Sequence, residues 1–146
     1  MISKQYLAGF VDGEAYLGIR KHSNKQSRTG YYYNICIKIA QKTSASAILY
    51  EFQKMFNGDI SHREHTGNQN QSTMWEISGI KRVSKFIDEL SKYLIVKKPQ
   101  AEILKEYIKL GNANSNVERS TYIMKKRAEL YKEILLLNHR GLAETK

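Results

Sequence analysis

The chain has 146 residues, 41% of them hydrophobic and 26% charged, and its 24 Lys and Arg against 14 Asp and Glu give a formal net charge of +10. These values are typical of one globular domain and exclude a disordered chain, and the single cysteine excludes an internal disulfide. The longest aliphatic run, residues 134–137, is too short for a transmembrane helix of about 20 residues, and the positive charge favours nucleic acid over an anionic membrane surface as the partner.

The first predicted elements are a helix and a β-hairpin. Ser3 is a suitable N-cap for a helix that runs to about Gly13. Apolar and polar residues then alternate from Glu14 onward, and most clearly over YYYNICIKIAQ, residues 31–41. Because the polar residues 23–30 separate these two segments, we predict two paired strands joined by a loop.

A second helix and a second hairpin follow. We predict the helix with Thr43 or Ser44 as its N-cap and with the Asn-Gly pair at 57–58 as its end. Strands are predicted over residues 60–65 and 73–78, on either side of the polar sequence TGNQNQ.

Three more helices are predicted after the second hairpin. The first carries an apolar stripe from Val83 to Leu94, and the second begins with Pro99 and ends before Gly111. The last covers Val117–Asn138, and its predicted apolar face consists of Met124, Ala128, Tyr131 and Leu135.

This order of elements predicts an α+β fold. Its core is an αββαββα unit with one antiparallel four-stranded sheet and its helices on one face, followed by C-terminal helices. We predict a single domain over residues 1–146, with the core and the next helix in 1–111 and a linker and the last helix in 112–146.

One face of the predicted sheet is rich in hydrogen-bonding side chains. It carries Arg20, His22, Asn24, Asn34, Lys38, Ser61, Arg63, His65 and Glu76. A merely solvated sheet face is the alternative, but these residue types can address base edges as well as phosphates. A strand of this length spans about 20 Å, which is about six base pairs of major groove. We therefore predict a DNA-binding face, which also includes Tyr32 and to which the loops add Lys25, Arg28, Asn68, Gln69 and Gln71.

The segment LAGFVDGEA, residues 7–15, resembles the signature of the LAGLIDADG homing endonucleases. Leu7, Ala8, Gly9 and Asp12 match the signature, and Phe10 and Val11 are apolar equivalents. The departures are Gly13 for an alanine, Glu14 for the shorter acidic metal ligand and Ala15 for the usual last glycine. The sequences AQKT at 40–43 and VKKPQA at 96–101 also lie where single-motif members of the family carry a glutamine and a lysine.

The resemblance implies a dimer. A chain with one signature forms a symmetric homodimer in this family, in which two signature helices pack closely and two sheets form a saddle over DNA. The residues that would form this interface are Leu7, Ala8, Gly9, Asp12 and Gly13. Gly9 and Gly13 lie four residues apart, on one face of the helix, where small residues allow a close approach.

The resemblance also implies the chemistry. Glu14, with the Gly13 carbonyl, would bind Mg²⁺ or Mn²⁺, and Gln41 would position the attacking water. Lys97 would stabilise phosphate charge or polarise water, with Lys98 as the alternative lysine, and Asp12 would be structural. The family often has an arginine shortly after the glutamine. This chain has Ser-Ala-Ser at 44–46, so Arg63 or another cation would substitute, or the pocket lacks the arginine.

The function implied is that of a site-specific homing endonuclease, encoded in an intron. It would hydrolyse both strands of a long pseudo-palindromic double-stranded DNA target and leave short 3′ overhangs. Its partners would be DNA, a second copy of the chain and intron RNA, without a membrane. It would act inside the cell, in a prokaryotic cytoplasm or in a chloroplast or mitochondrion. The alternatives are an RNA maturase of the same family and a non-catalytic DNA-binding regulator with the same fold.

Overall fold

The computed structural model describes residues 2–27, 29–64, 71–111 and 117–139. Within them the chain forms, in order, α1 Lys4–Glu14, β1 Ala15–Ser23, β2 Tyr31–Lys42, α2 Ala47–Phe56, β3 Asp59–Arg63, β4 Ser72–Ser78, α3 Ile80–Leu90, α4 Lys98–Leu110 and α5 Val117–Asn138. This order confirms the predicted α+β fold and its αββαββα core. None of the described helices is long and apolar enough to cross a membrane.

The four strands form one antiparallel sheet in the order β1-β2-β4-β3. The register pairs Arg20 with Asn34 across β1 and β2, and Lys38 with Glu76 across β2 and β4. Because side chains alternate along a strand, these four residues share one face, here called the open face. The other face, here called the helix face, carries the buried aliphatic residues of β1 and β2 and Trp75 of β4.

The core lies between the helix face of the sheet and the helices. Its centre is an aromatic cluster of Phe52, Phe56, Trp75 and Phe86, whose neighbouring ring centroids lie 5.0 to 6.4 Å apart. The Trp75 indole donates its hydrogen bond to the Asn57 carbonyl at 2.8 Å, so its polar atom is satisfied inside the core. Burying each large apolar side chain contributes about 1.5–3 kcal/mol to the free energy of folding, which fixes the sheet against α2 and α3.

The helix ends agree with the sequence in part. The Ser3 hydroxyl accepts the N–H of Tyr6 at 3.1 Å and confirms the first N-cap, and Asn57 ends α2 with a positive φ of 61°. The predicted caps of α2 are wrong, because that helix begins only at Ala47, after a 3-10 turn over Thr43–Ala45. Thr43 is held at the sheet instead, since its N–H donates to the Gln71 carbonyl at 2.9 Å.

The start of α4 also differs by one residue. The helix begins at Lys98, so Pro99 takes the second position, not the first. A proline is equally suited there, because the first four N–H groups of a helix have no intrahelical partner. The helix ends at Leu110, before Gly111, as the sequence predicts.

The buried face of α5 is rotated from the predicted one. Its fully buried residues are Ile123, Leu130 and Ile134, whereas the four residues predicted there are only half-buried. Arg127 occupies the fourth position of the stripe formed by these three residues. Because it is charged, the hydropathy pattern does not indicate this stripe. The guanidinium lies 4.9 Å from the centre of the Tyr107 ring and donates to the Gly111 carbonyl at 2.7 Å, so the charge is accommodated against α4.

Candidate active site and nucleic-acid interface

The first helix has one buried and one exposed side. Leu7 and Ala8 are 1% and 0% exposed and belong to the core of the single chain, which corrects their prediction as interface residues. The exposed side instead presents Tyr6, Gly9 and Gly13. A Cβ atom built on either glycine would meet no atom within 4 Å apart from its chain neighbours and the nearby backbone of its own helix, so packing within the chain does not require glycine at these positions.

Two of the predicted catalytic residues meet at the end of α1. Glu14 is the last residue of that helix and its side chain is exposed, and Gln41 lies near the end of β2. Because Ala15 pairs with Ile39, the end of α1 lies beside the end of β2. The Gln41 side-chain amide donates to the Glu14 carboxylate at 3.2 Å. The carbonyl of Gly13 lies in the last turn of the helix, where carbonyls have no intrahelical donor.

Asp12 joins this helix end to the loop before α4. Its two carboxylate oxygens accept the backbone N–H groups of Ile95 and Lys97, each at 2.9 Å. The carboxylate is therefore occupied by main-chain donors, as expected of a structural residue. The same bonds place Lys97 beside the last turn of α1, whereas the Lys98 ammonium donates to the Ser91 carbonyl at 3.3 Å.

The proposed substitute for the missing arginine lies elsewhere. Arg63 is exposed near the end of β3, and its register with Ser72 places it on the open face. Gln41 pairs with Thr73 and lies on the helix face. Arg63 therefore starts from the side of the sheet opposite to Gln41, which favours the other two alternatives, another cation or a pocket without the arginine.

A threonine that the sequence did not single out lies behind the site. Thr73 is fully buried, and its hydroxyl contacts Thr43 Oγ1 and His62 Nδ1, each at 3.0 Å. Because Thr73 is also the cross-strand partner of Gln41, this hydrogen-bonded group holds the strand ends where Gln41 lies. The strand register that brings these residues within hydrogen-bond distance is left open by the sequence.

The donor set fits a magnesium-type ion shared with another molecule. Within the described part of the chain, no group of three or more His, Cys, Asp or Glu residues is placed to hold a metal. The exposed Glu14 carboxylate and the Gly13 carbonyl are hard oxygen donors, the kind that Mg²⁺ and Mn²⁺ prefer. Since Mg²⁺ binds through one or two carboxylates with waters and phosphate oxygens, one acid from a chain is sufficient only if a substrate or a second chain completes the set.

An ion network occupies the middle of the open face. The Glu76 carboxylate contacts the Arg20 guanidinium and lies 3.7 Å from the Lys38 ammonium, and all three side chains are partly buried. Burial lowers the pKa of Arg20, but the charge interactions with Cys36 and Glu76 and the hydrogen bond to Glu76 outweigh it, so the net shift is upward. Burial also raises the pKa of the Cys36 thiol, which keeps it neutral beneath the network. The three predicted DNA-binding residues thus form one cluster with a net positive charge.

The outer part of the open face is more exposed. His22 stacks on Tyr32 with ring centroids 4.9 Å apart, and Asn34 lies next to them, opposite Arg20. Asn24 stands in the hairpin loop, where its side chain accepts the N–H of Gln26 at 3.0 Å. The remaining predicted residues that the structure describes are all exposed: Lys25, Ser61, Arg63 and Gln71. Arg28, His65, Asn68 and Gln69 lie outside the described residues.

Comparison with known families gives one match over most of the chain. The profile described as LAGLIDADG endonuclease matches residues 7–109, from the first helix to the end of α4. No curated protein sequence matches the chain.

Several solved structures share the fold. The homing endonuclease I-CvuI, solved in complex with its target in the presence of calcium, superimposes with a TM-score of 0.75 at 21% identity, covering 92% of this chain and 80% of its own. The group I intron-encoded homing endonuclease I-CeuI, solved with DNA, gives 0.74 at 21% identity, over 90% of this chain and 65% of its own. The homing endonuclease I-TnaI gives 0.71 at 20% identity, over 99% of both chains. At these identities, the similarity establishes the fold.

Proposed function

The chain belongs to the LAGLIDADG endonuclease family, whose profile covers residues 7–109, and from this premise we propose that it is a site-specific endonuclease that hydrolyses both strands of double-stranded DNA. The observation that carries the proposal is the contact of 3.2 Å between Gln41 and the exposed carboxylate of Glu14, at the end of the signature helix. A regulator that only binds DNA has no need of an exposed acid and an amide held together at this point.

Each residue of the site has a role in this proposal. Glu14 and the Gly13 carbonyl would hold Mg²⁺ or Mn²⁺, which when bound stabilises the negative charge of the reacting phosphate and activates water. Gln41 can direct a water through its side-chain amide, because its own orientation is fixed by the bond to Glu14. Lys97 would place a positive charge near the phosphate oxygens, where it stabilises the transition state.

A second copy of the chain completes the site. The exposed side of α1 offers two glycines with open space in front of them, next to Tyr6, which is 59% exposed. Ile95 and Val96, in the loop held by Asp12, are 81% and 66% exposed. These apolar side chains and the glycine surface favour a self-complementary contact through α1, which would bring two Glu14 carboxylates to the centre of the dimer.

The open face is proposed to lie in the major groove. Arg, Lys, Asn and Glu side chains can read the donors and acceptors of base edges, and the Arg20–Glu76–Lys38 network is already arranged before DNA binds. Two sheets related by the dimer axis would read a long pseudo-palindromic target. The finer proposals are that the gene lies in an intron, as the I-CeuI description states for that protein, and that the cuts leave short 3′ overhangs.

The proposed activity is tested by cleavage of defined DNA. The purified chain is incubated with Mg²⁺ and a library of duplexes that includes the joined flanking sequences of its gene, and the product ends are sequenced. Discrete cuts on both strands of one sequence support an endonuclease with short overhangs. Splicing assistance to an RNA without any DNA cleavage would support the maturase alternative and contradict the proposal.

DNA affinity is expected to fall steeply with salt. The chain carries a net charge of +10, and a dimer twice that, so binding releases counterions from several phosphates. Between about 50 and 200 mM salt we expect the dissociation constant to rise by at least about a hundredfold. Fluorescence anisotropy with a labelled target measures this, and an affinity that stays constant over that range would contradict a basic DNA-binding surface.

A further inference from the structure

Asp12 hydrogen-bonds the signature helix α1 to the segment between α3 and α4. Both oxygens of Asp12 are used, one for the N–H of Ile95 and one for the N–H of Lys97, at 2.9 Å each. These donors lie 83 and 85 residues away along the chain. Asp12 therefore connects two segments that are distant in sequence. It does so two residues before Glu14.

Apart from the bonds to Asp12, the loop is held mainly at its ends, where the Lys98 ammonium donates to the Ser91 carbonyl at 3.3 Å. Leu94 is buried before it and Ala101 after it, but Ile95 and Val96 expose most of their surface. Lys97 is the N-cap of α4, and its carbonyl accepts the N–H of Ala101 at 3.0 Å. The position of Lys97 relative to α1 is thus set on the helix side by α4 and on the loop side by Asp12.

We propose that Asp12 is a positioning residue for Lys97 in the proposed cleavage reaction, and this inference rests on the proposed function. In this proposal Asp12 acts on the loop and not on DNA or metal, since each of its oxygens already accepts a backbone N–H. It holds the lysine at a fixed distance from Glu14, since Asp12 and Glu14 belong to the same helical turn. The last turn of α1 then determines the position of Lys97, the proposed cation, relative to Glu14, the proposed metal ligand.

The chemistry of the contact requires an aspartate. Two N–H donors need two acceptors at the spacing of a carboxylate, and a negative acceptor makes the shorter and stronger bonds. An asparagine keeps one acceptor but turns its own N–H₂ toward the second donor, so one bond is lost and the loop can shift. A displacement of about 1 Å in a catalytic group can reduce a rate by about a hundredfold.

A double-mutant cycle tests the proposal. We expect Asp12→Asn to lower the single-turnover cleavage rate with saturating target and Mg²⁺ by about tenfold to a hundredfold, and Lys97→Ala to lower it by about a hundredfold or more. The double variant should cleave no more slowly than Lys97→Ala alone, because Asp12 acts only through the lysine. The dissociation constant for DNA should change by less than about twofold in Asp12→Asn. Asp88→Asn, which removes the same charge from an exposed position on α3, is the matched control and should leave the rate unchanged.

Two outcomes would overturn the inference. One is an equal loss of rate from Asp12→Asn with and without Lys97, which would indicate a general structural effect. The other is that Asp12→Asn leaves both the rate and the hydrogen exchange of the Ile95 and Lys97 amides unchanged. Amide exchange, followed by NMR, keeps the test separate from the proposed function. If the native chain cuts no DNA, the proposed function fails, and the positioning role for cleavage is rejected with it. Faster exchange of the two amides in Asp12→Asn would then still establish the contact.

Discussion

Replacing Glu14 by glutamine is expected to abolish cleavage of both DNA strands while the protein still binds its target. The substitution keeps the size of the side chain and an oxygen that can accept the hydrogen bond from Gln41, which is 3.2 Å long in the native chain. It removes the negative charge on which a divalent cation depends. We expect the cleavage rate to fall by at least about a thousandfold, which is about 4 kcal/mol in the activation barrier. Single-turnover cleavage and anisotropy binding, run on the same target, separate the two effects.

The DNA affinity of Glu14→Gln is expected to change in a defined direction. Glu14 is exposed beside the expected path of the phosphates, so its charge repels DNA in the absence of metal. In a metal-free buffer, Glu14→Gln should therefore bind the target as tightly as the native chain or more tightly. In the presence of Ca²⁺ the native chain should recover or exceed the affinity of the variant, because a cation held by Glu14 would offset the repulsion between its carboxylate and the phosphates.

Glu102→Gln is the matched control for Glu14→Gln. Glu102 lies on α4 and pairs with Lys105 at 3.2 Å, an exposed contact that contributes little to stability. Its replacement removes the same charge away from the site and should change the cleavage rate by less than about twofold. Equal rates for the native chain and Glu14→Gln would remove the catalytic assignment of this acid.

The sequence predicts the fold and the surface residues of the site from two kinds of signal. Alternation along β1 and β2 assigns Arg20 and Lys38 to one face and Ile35 and Ile37 to the other, and the structure confirms both faces. The signature at residues 7–15 predicts Glu14 and, through its family, Gln41. What unites these signals is that they depend on side chains and short spacings, which the sequence shows directly.

The parts of the site that the sequence misses depend on backbone atoms and on burial. The partners of Asp12 are main-chain N–H groups 83 and 85 residues away, and these groups have no side-chain signature. Thr73 contacts Thr43 by a hydrogen bond that forms only once β4 is paired with β2 in this register. The family signature also does not show which of its residues face the core, so a prediction from the signature alone places the buried Leu7 and Ala8 at the interface.

Replacing Gly9 by leucine is expected to prevent dimer formation and, with it, cleavage of both strands. In the single chain, a Cβ at Gly9 meets nothing within 4 Å, so a side chain fits there without strain. A second α1 packed closely on this surface would leave no room for the leucine. Overpacking costs about 1–3 kcal/mol for each side chain, and a symmetric interface contains the substitution twice, so we expect dimer formation to weaken by roughly 2–6 kcal/mol. Sedimentation equilibrium of the free protein measures the association.

The stability of the isolated subunit shows whether a loss of dimer formation comes from the interface and not from a damaged fold. Glycine inside a helix is less favourable than alanine by about 1 kcal/mol, so Gly9→Ala should stabilise the isolated subunit by up to that amount while it weakens the dimer. Denaturant unfolding at a concentration below the dimer dissociation constant measures the first effect, and sedimentation the second. Ala47→Leu, which adds bulk to an exposed residue of α2, should leave both dimer formation and cleavage unchanged. Opposite signs for subunit stability and association can arise only if another molecule occupies the space in front of Gly9. A Gly9→Leu chain that still dimerises and cuts both strands would place the interface on another surface.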